Sequence, residues 1–485
     1  MPLDRKSYPM FIGGKWIEAP GGKTFDTRDP ATGELLAKVA SGGKDEADQA
    51  VRTAHEAFRS QAWSRMDPSE RGRLLWKLAS LVRANLNKLA EVETLDNGKT
   101  LREAKGDVAY TAWLFEYYGG LADKIEGESI PVPGPRVNYT LREPLGVTAH
   151  IAPWNYPLLL SSRSIAPALA AGNTVVAKPA SLTPLSLLHL AELTEQAGFP
   201  PGVFNVVTGG GRTVGEALAS HPMVDGVTFT GSVETGRQVF EVAARGIKQV
   251  CLELGGKGPQ VVFPDADLDK AAKGVGFGIF ANAGQMCWAG SRLLVHASVH
   301  DDVVARVRKF AEGLRVGPGV LETSQMGPVC GPEQQRRVLD YVKTGRDEGA
   351  RLATGGKALD EGALAKGSFV TPTIFDGVKP SMRIAREEIF GPVLSVLTFE
   401  TPEEAVKIAN DSSFGLAASV WTGNVGTAHT VARQLESGMV MVNEGPVTFP
   451  MTPFGGYKES GLGREQGIGA LQHYTRVKNV SVRYG

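Results

Sequence analysis

The sequence predicts an α/β protein built from a doubly wound parallel sheet of Rossmann type, a second α/β domain and a small β element. The first observation is that residues 146–256 alternate between five short apolar segments and helical segments, which is typical of parallel strands joined by right-handed crossovers. The second is that another alternating α/β block follows. The third is that residues 475–483 alternate polar and apolar side chains, as an edge strand does.

The N-terminal region predicts a short β entry at residues 10–17, followed by helices. Apolar residues recur at helical spacing over 45–58, 68–85 and 86–118, with a break at 97–99. Asp67 precedes Pro68, with Glu70 in the first turn. We therefore expect Asp67 to cap that helix.

The parallel sheet follows segment by segment. Strands are expected at 147–152, 174–178, 203–207, 227–230 and 249–254. Helices are expected at 157–171, 184–197, 214–220 and 233–244. Because parallel strands end at the same edge of a sheet, a dinucleotide would lie across their carboxyl ends.

The second block predicts another mixed domain and a projecting hairpin. Strands are expected at 260–263, 292–296, 369–374, 393–399 and 438–443. Helices are expected at 268–281, 303–313, 333–348, 402–410 and 425–435. Residues 130–143 predict a hairpin that leaves the domain and packs on something else, because an isolated hairpin is marginally stable.

Composition excludes several classes of protein. The 485 residues carry 52 basic and 52 acidic side chains, so no basic excess indicates nucleic acid or an anionic membrane as partner. The N-terminal residues lack the apolar run of a secretory signal, and no stretch approaches a membrane span. Three scattered cysteines predict a reducing cytoplasm and no metal site.

Cys287 is the first candidate for chemistry. It lies in the glycine-rich bend GQMCWAGSR at 284–292, where close backbone approach and neighbouring amides suit a thiolate nucleophile. A free cysteine can equally be a buried residue that packs like a small hydrophobe. The bend by itself leaves both interpretations open.

Further motifs stand at the ends of the predicted elements. In chain order they are IAPWNYP at 151–157, KPA at 178–180, FTGSVETG at 229–236, LELGGK at 252–257, the Cys287 loop, EEIFGPV at 387–393 and PFGGYKESG at 453–461. Together they closely resemble the NAD(P)-dependent aldehyde dehydrogenase superfamily, over essentially the whole chain and in the family's order.

The resemblance implies a nucleophile, an oxyanion donor and a general base. Cys287 would attack the aldehyde, Asn155 and the Cys287 amide would hold the resulting oxyanion, and Glu253 would activate water. An Asn in a turn can instead bond its own backbone, and Glu253 can be satisfied by backbone amides. Glu253 between two leucines is expected to have a raised pKa. Glu465 would either relay protons or be a solvated loop carboxylate.

The resemblance also implies a site for NAD⁺ or NADP⁺. Lys178 would reach the adenosine ribose, and Glu388 and Phe390 would hold the nicotinamide half. We also expect Lys178 among the catalytic residues. The other expected cofactor residues are Ile151, Ala152, Pro153, Trp154, Ser181, Gly211, Gly215, Phe229, Gly231, Ser232 and Leu254. Many NAD-preferring relatives have Glu at the position of Ser181, so the loss of that charge makes use of NADP⁺ plausible.

The substrate pocket is the least determined part. Arg163 would either pair with an anionic substrate group or extend to solvent at the mouth of the substrate tunnel, and we expect the second. Trp288, beside the nucleophile, would narrow the pocket. Further expected lining residues are Tyr156, Met286, Phe449 and Met451, which suggest an aromatic or medium-chain aldehyde.

These expectations divide the chain into three parts. Residues 1–125 and 145–254 would bind the dinucleotide, 255–454 would form the catalytic domain, and 126–144 with 455–485 would bridge subunits of a homodimer or homotetramer. There the hairpin would pair with the C-terminal strand across the interface. The alternatives to water-dependent aldehyde oxidation are a coenzyme A-acylating semialdehyde dehydrogenase, a non-catalytic binding protein with this fold, and an esterase.

Overall fold

The structure, a computed structural model, describes residues 5–485. Residues 1–4, part of the stretch that predicts no secretory signal, lie outside the described residues. The elements up to residue 144 are β1 (Ser7–Tyr8), β2 (Met10–Ile12), β3 (Lys15–Ile17), β4 (Thr24–Arg28), β5 (Leu35–Ala40), α1 (Lys44–Arg59), α2 (Gln61–Ser64), α3 (Pro68–Ala84), α4 (Leu86–Asn97), α5 (Leu101–Gly119) and β6 (Arg136–Pro144).

The doubly wound region comes next. Its elements are β7 (Val147–Ile151), α6 (Pro157–Ala170), β8 (Thr174–Lys178), α7 (Leu185–Ala197), β9 (Phe204–Val206), α8 (Glu216–Ser220), β10 (Gly226–Thr230), α9 (Val233–Ala244) and β11 (Gln249–Glu253).

The remaining residues form the second α/β unit and the tail. Their elements are β12 (Pro259–Val262), α10 (Leu268–Phe280), β13 (Arg292–His296), α11 (His300–Glu312), α12 (Pro332–Asp347), β14 (Arg351–Thr354), β15 (Thr373–Asp376), α13 (Arg383–Arg386), β16 (Val393–Phe399), α14 (Pro402–Asn410), β17 (Phe414–Gly415), β18 (Ala417–Trp421), α15 (Val425–Gln434), β19 (Met439–Val442), β20 (Tyr457–Lys458), β21 (Gly461–Leu462) and β22 (Thr475–Arg483).

The first sheet has the strand order β21-β11-β10-β7-β8-β9-β2-β3. The predicted strands β7 to β11 are its parallel part, which confirms the doubly wound topology. Both faces are covered, as a parallel sheet requires. Val175 and Ala177 pack into one core with α3 to α7, and Val176 between them packs into the other.

The second sheet has the order β14-β15-β16-β13-β12-β18-β19. Its pairs are parallel except for β14 with β15. Strand β18 lies between β12 and β19 but is not among the predicted strands, because its sequence, Ala-Ala-Ser-Val-Trp, lacks a period of two. The strand expected at 369–374 begins only at Thr373, because Pro372 before it has no N–H for a ladder.

The C-terminal strand β22 corrects the expected bridging element. It pairs antiparallel with β6 of the same chain, from Thr475 opposite Pro144 to Arg483 opposite Arg136, and not across a subunit interface. The expected hairpin at 130–143 is reduced to an isolated bridge between Ser129 and Tyr139, because the prolines at 131, 133 and 135 have no N–H for a ladder. We call this two-stranded β6–β22 unit the ribbon.

The predicted cap at Asp67 is wrong. Its side chain makes no capping hydrogen bond. The Asp67 carbonyl accepts from the amides of Glu70 at 2.9 Å and Arg71 at 3.1 Å instead. Pro68 removes one of the free amides at the first helical position, so the helix begins without a side-chain acceptor.

Among residues 5–485, no helix is long and apolar enough to cross a membrane. Within the same range, no group of three or more His, Cys, Asp or Glu side chains could hold a metal ion. Cys251, Cys287 and Cys330 are all free thiols. A cytoplasmic location stays a prediction.

Candidate active site

A cavity of about 780 Å³ opens at the carboxyl edge of the first sheet. The floor of the cavity is formed by strand-end residues that the parallel register places side by side. Ile151 lies beside Phe229 and Lys178, and Thr230 lies beside Glu253. All fourteen expected cofactor residues line this cavity, together with Asn155, Glu253 and Cys287. The geometry therefore brings the nucleophile and base candidates into the same space as the cofactor candidates.

The Cys287 loop is a forced bend. Asn282, Ala283 and Gly284 all have positive φ, at 47°, 51° and 73°, a conformation that costs energy for residues other than glycine. A Cβ on Gly284 would lie 2.1 Å from the Gly391 carbonyl oxygen, so glycine is required there. The loop thereby packs against Gly391 and Pro392, directly after Glu388–Phe390, and presents a half-buried Cys287 to the cavity.

The surroundings of Cys287 oppose ionisation of its thiol. Burial raises the pKa of the Cys287 thiol to about 12, Arg163 lowers it, and the carboxylates of Glu253 and Glu388 raise it further. The bend therefore supplies access and geometry, and among these three charges Arg163 is the one that favours the ionised thiol.

Asn155 is held against the cysteine loop and does not bond its own backbone. Its Nδ2 donates to Gln285 O at 2.9 Å, and its carbonyl accepts from Asn282 Nδ2 at 3.0 Å. Asn97 Nδ2 donates to Trp154 O at 2.9 Å. The break at 97–99 between α4 and α5 thus braces the strand-end loop that carries the amide.

Glu253 is a buried carboxylate without hydrogen bonds. Only 1% of it is exposed, and neither oxygen has a partner within the described residues, so backbone amides do not satisfy it. Burial raises the pKa of Glu253 well above the usual range. The positive charges of Arg163 and Arg464 lower this pKa, and the Glu465 carboxylate raises it. The expected direction is confirmed, and a raised pKa is what a general base near neutral pH needs.

Arg163 and Glu465 form an ion pair, and both are essentially buried, at 2% and 1% exposure. The expectations of a solvent-extended Arg163 and of a solvated loop carboxylate are both wrong, because each residue is the other's counter-charge. The Arg163 guanidinium also lies 3.9 Å from the centre of the Phe454 ring. Glu465 exchanges backbone hydrogen bonds with the same Phe454.

Lys178 and Ser181 stand at one end of the cavity. Lys178 Nζ donates to Pro179 O at 2.9 Å, and burial lowers its pKa to about 8. Ser181 Oγ donates to Gly209 O at 3.1 Å. A short neutral side chain therefore occupies the position where an acidic one would stand in many relatives.

Glu388 and Phe390 stand toward the Cys287 side. Glu388 Oε1 accepts from the Gly256 amide at 2.9 Å, and burial raises the pKa of Glu388 to about 7. Phe390 has a φ of 60° and contacts Trp154 edge to face at 5.2 Å between ring centres. This conformation needs outside support.

Helix α12 supplies that support through residues absent from the prediction. Gln334 Nε2 donates to Phe390 O at 2.6 Å, and Arg337 Nη2 donates to Glu388 O at 2.8 Å. Both side chains also line the cavity. They stand more than fifty residues from the loop they hold, on a helix with no motif, so no local signal could have identified them.

The lining fits a dinucleotide. Gly211 has open space where a Cβ would be, and a Cβ on Gly255 would lie 2.5 Å from a Glu388 carboxylate oxygen. Helix α9 begins at the cavity wall, where Ser232 caps Thr235 N, and the free amides of such a helix start suit phosphate. Ser232, Gly231 and Gly211 would hold the phosphates, Lys178 the adenosine ribose and Glu388 the nicotinamide ribose.

The expected substrate residues lie outside this cavity. Met286 is buried, while Phe449 and Met451 are well exposed. Trp288 contacts Phe454 edge to face at 5.5 Å, and Lys99 Nζ lies 3.9 Å from the centre of the Tyr156 ring. The structure places Trp288 and Arg163 around one ring, Phe454, but does not join all six into a single pocket.

Known proteins with this sequence pattern are numerous. The model of the aldehyde dehydrogenase family matches residues 16–480. A betaine aldehyde dehydrogenase of Bacillus subtilis strain 168 is 45% identical over 475 residues, covering 98% of this chain and 97% of that protein. An aldehyde dehydrogenase of Davidiella tassiana is 45% identical over 477 residues, covering 98% of this chain and 95% of that protein.

A solved structure gives the same result. The NAD⁺ complex of an aldehyde dehydrogenase from Bacillus cereus superposes with a TM-score of 0.97 at 45% identity, covering 100% of this chain and 98% of that one. The chain belongs to the aldehyde dehydrogenase family and is an NAD(P)-dependent oxidoreductase that acts on the aldehyde group of its substrates. Its cofactor is NAD⁺ or NADP⁺.

Proposed function

We propose that the protein oxidises an aldehyde with NAD(P)⁺ and water to a carboxylic acid, NAD(P)H and a proton, through a covalent intermediate on Cys287. One observation carries this proposal: Cys287 and Glu253 line the same cavity as the residues suited to the dinucleotide. The order and types of these residues are those of the family resemblance.

Cys287 opens the cycle. Its thiolate adds to the aldehyde carbon and gives a thiohemiacetal, whose oxygen carries the developing negative charge. The Asn155 amide has two N–H donors, and one is occupied by Gln285 O. The second N–H and the Cys287 backbone amide are the donors for the oxyanion. A nicotinamide held at Glu388 and Phe390 would supply the hydride acceptor, and loss of hydride would leave a thioester on Cys287.

Glu253 closes the cycle. Its carboxylate takes a proton from a water molecule as that water attacks the thioester carbon, and the acid leaves as the Cys287 thiolate is restored. The absence of hydrogen-bond partners on both Glu253 oxygens within residues 5–485 leaves them free to accept from water. A base at this position favours hydrolysis over transfer of the acyl group to coenzyme A.

Product analysis with and without coenzyme A tests this function. We expect carboxylic acid in both reactions and no NAD(P)H from Cys287→Ala. Cys330→Ala is the matched control, because Cys330 is a buried thiol away from the cavity lining, and it should keep its activity. Acyl-coenzyme A as the product, or NAD(P)H from Cys287→Ala, would refute the proposal.

The substrate is proposed to be a largely uncharged aromatic or medium-chain aldehyde. Trp113 on α5 contacts Phe449 at 6.1 Å between ring centres, and Trp288 contacts Phe454 nearer the nucleophile. The positive charge of Arg163 is already balanced by Glu465, so we do not assign it to an anionic substrate. Comparing kcat/KM for aromatic, aliphatic and carboxylated aldehydes tests this; a preference for the carboxylated ones would contradict it.

The ribbon is proposed to pack on a second copy of the chain. It leaves Val137, Leu141, Val477 and Val482 well exposed, and a two-stranded ribbon needs further packing to be stable. We expect wild type to sediment as a dimer or tetramer and Val477→Lys to dissociate. Val425→Lys, at a still more exposed site on α15, should not. A monomeric wild type would refute this assembly.

A further inference from the structure

We propose that Arg163 is a positioning residue of the active site: its buried guanidinium fixes Glu465 and supplies the positive charge against which the Cys287 thiolate and the Glu253 carboxylate form. This inference rests on the roles proposed above for Cys287 and Glu253.

The first support is the burial of an unusual set of charges. Arg163, Glu465 and Glu253 are 2%, 1% and 1% exposed. Buried ions are costly unless they are paired. Of these three, Arg163 is the only cation, and it lowers the pKa of Glu253, which the Glu465 carboxylate raises.

The second support is the way these groups are arranged around Phe454. Arg163 stacks on the ring at 3.9 Å, and the edge-to-face contact of Trp288 brings the residue after Cys287 to the same ring. A Cβ on Gly455, the residue after Phe454, would lie 3.0 Å from Glu253 Oε1. Phe454 thus connects the guanidinium to the nucleophile loop on one side and to the base on the other.

The third support is unsatisfied hydrogen-bonding capacity. Arg163 Nη2, Glu465 Oε1 and both Glu253 oxygens are buried and have no partner within the described residues. One free donor and three free acceptors in one cluster suit water molecules that would link Arg163 to both carboxylates. Such buried waters are typically held by two to four polar groups.

The charges around the thiol and the base determine the expected direction. Arg163 lowers the pKa of Cys287 and of Glu253, whereas Glu388 raises that of Cys287. Arg464 also lowers the pKa of Glu253. The other titratable groups in this region are Cys251 and four tyrosines, which interact with the same set of charges, and His473, which accepts from Arg464 N; the tyrosines are Tyr110, Tyr118, Tyr156 and Tyr474. Loss of Arg163 should therefore shift ionisation of the thiol to higher pH.

The test is the pH dependence of iodoacetamide alkylation at Cys287, monitored by mass spectrometry of the full-length enzyme without cofactor. Cys251 and Cys330 are buried, so the fast reaction belongs to Cys287. For Arg163→Met we expect alkylation about tenfold slower at pH 8, because an opposite charge at close range shifts a pKa by one unit or more. Arg163→Lys keeps the charge and should restore the rate.

A double variant guards against misfolding. Arg163→Met alone leaves Glu465 buried and unpaired, so Arg163→Met/Glu465→Gln, which removes both charges, should fold better and still alkylate slowly. Glu465→Gln alone should alkylate at least as fast as wild type, because the charge of Arg163 is then unshared. Arg71→Met is the matched control: Arg71 contacts the C-terminal end of α6 through Ala170 O, and its loss should not alter the alkylation profile.

The outcomes distinguish failure of the role proposed for Arg163 from failure of the proposed aldehyde oxidation. If the double variant is folded and has the wild-type profile, or if Arg163→Lys is as slow as Arg163→Met, the role of Arg163 is refuted. If instead Cys287→Ala still produces NAD(P)H, the proposed function itself fails. Slow alkylation in both Met variants with recovery in Arg163→Lys would establish the positioning role.

Discussion

Asn155 and Gln285 connect the end of the first sheet to the nucleophile loop through one hydrogen bond, in which Asn155 Nδ2 donates to Gln285 O at 2.9 Å. Gln285 lies two residues before Cys287, and its own Oε1 accepts from Cys330 N at 2.7 Å. The amide that would bind the oxyanion and the loop that carries the thiol are therefore parts of one hydrogen-bonded unit.

Replacing Asn155 by Ala removes the side-chain donor and should lower kcat by about 10²- to 10³-fold, as expected for one oxyanion donor. The KM for the cofactor should change little, because the backbone of the loop stays braced by Asn97 and Asn282. Steady-state kinetics with both substrates varied measures this.

Asn410→Ala is the matched control. Asn410 Nδ2 also donates to a backbone carbonyl, that of Gln434 at 2.8 Å, but it is not among the residues that line the cavity. A loss of kcat in Asn155→Ala no larger than in this control would contradict the oxyanion role.

The sequence predicted the positions of the parallel strands along the chain and the types of the site residues, because each of these has a local signature. Apolar segments mark β7 to β11, and the strand-end motifs contain Asn155, Glu253 and Cys287. What could not be predicted are pairings between distant segments. The Arg163–Glu465 ion pair joins residues 302 positions apart, and each side chain taken alone looked like a solvated charge.

The pairing partner of β22 in the ribbon also could not be predicted from the sequence. Alternation correctly indicated that β22 is a strand, yet its partner was open, because any free edge offers the same row of donors and acceptors. The structure shows β6 of the same chain as that partner. Strand β18 was missed for a different reason, since a strand buried on both faces need not alternate.

The reactivity of Cys287 should depend steeply on pH. Burial raises the pKa of its thiol to about 12, so the thiolate, which is the reactive form, becomes more abundant as pH rises towards that value. Between pH 7 and 9, alkylation of the cofactor-free enzyme should accelerate about tenfold per pH unit. A rate that is flat over this range would show that the thiol is already ionised.

Replacing Ser181 by Glu should shift the cofactor preference towards NAD⁺. A carboxylate beside the adenosine ribose would repel a 2′-phosphate and accept from ribose hydroxyls. We expect the ratio of kcat/KM for NAD⁺ to that for NADP⁺ to rise by about tenfold or more, which is about 1.4 kcal/mol.

Ser181→Ala is the control for the added charge, because it keeps the position neutral and should leave the ratio of the two kcat/KM values near that of wild type. A Glu at Ser232 would not serve, because Ser232 caps α9. If Ser181→Ala and Ser181→Glu give the same ratio, the position does not select the cofactor.

Replacing Gly255 by Ala should weaken cofactor binding specifically. The added Cβ would lie 2.5 Å from Glu388 Oε2, so the carboxylate proposed to hold the nicotinamide ribose must move. We expect the KM for NAD(P)⁺ to rise by about tenfold, comparable to the loss of one charge-assisted hydrogen bond of about 1.5 kcal/mol.

Gly106→Ala is the control for a glycine replacement without a steric conflict. Gly106 lies in α5, and a Cβ there has nothing within 4 Å. This variant should keep the wild-type KM and gain stability, by about 0.4–1 kcal/mol. A cofactor KM in Gly255→Ala equal to that in Gly106→Ala would argue against Glu388 as the ribose ligand.

The most direct test of the proposed cycle is to trap its intermediate. Glu253→Gln removes the base but keeps the shape of the side chain, so thioester should form and then hydrolyse about 10²- to 10⁴-fold more slowly. Glu241→Gln, an exposed change on α9, is the control. Rapid mixing with an aldehyde and NAD(P)⁺, followed by acid quench and mass spectrometry, should show a burst of NAD(P)H equal to the enzyme concentration and an acyl adduct on the peptide containing Cys287. A full burst with no adduct on that peptide would contradict the account.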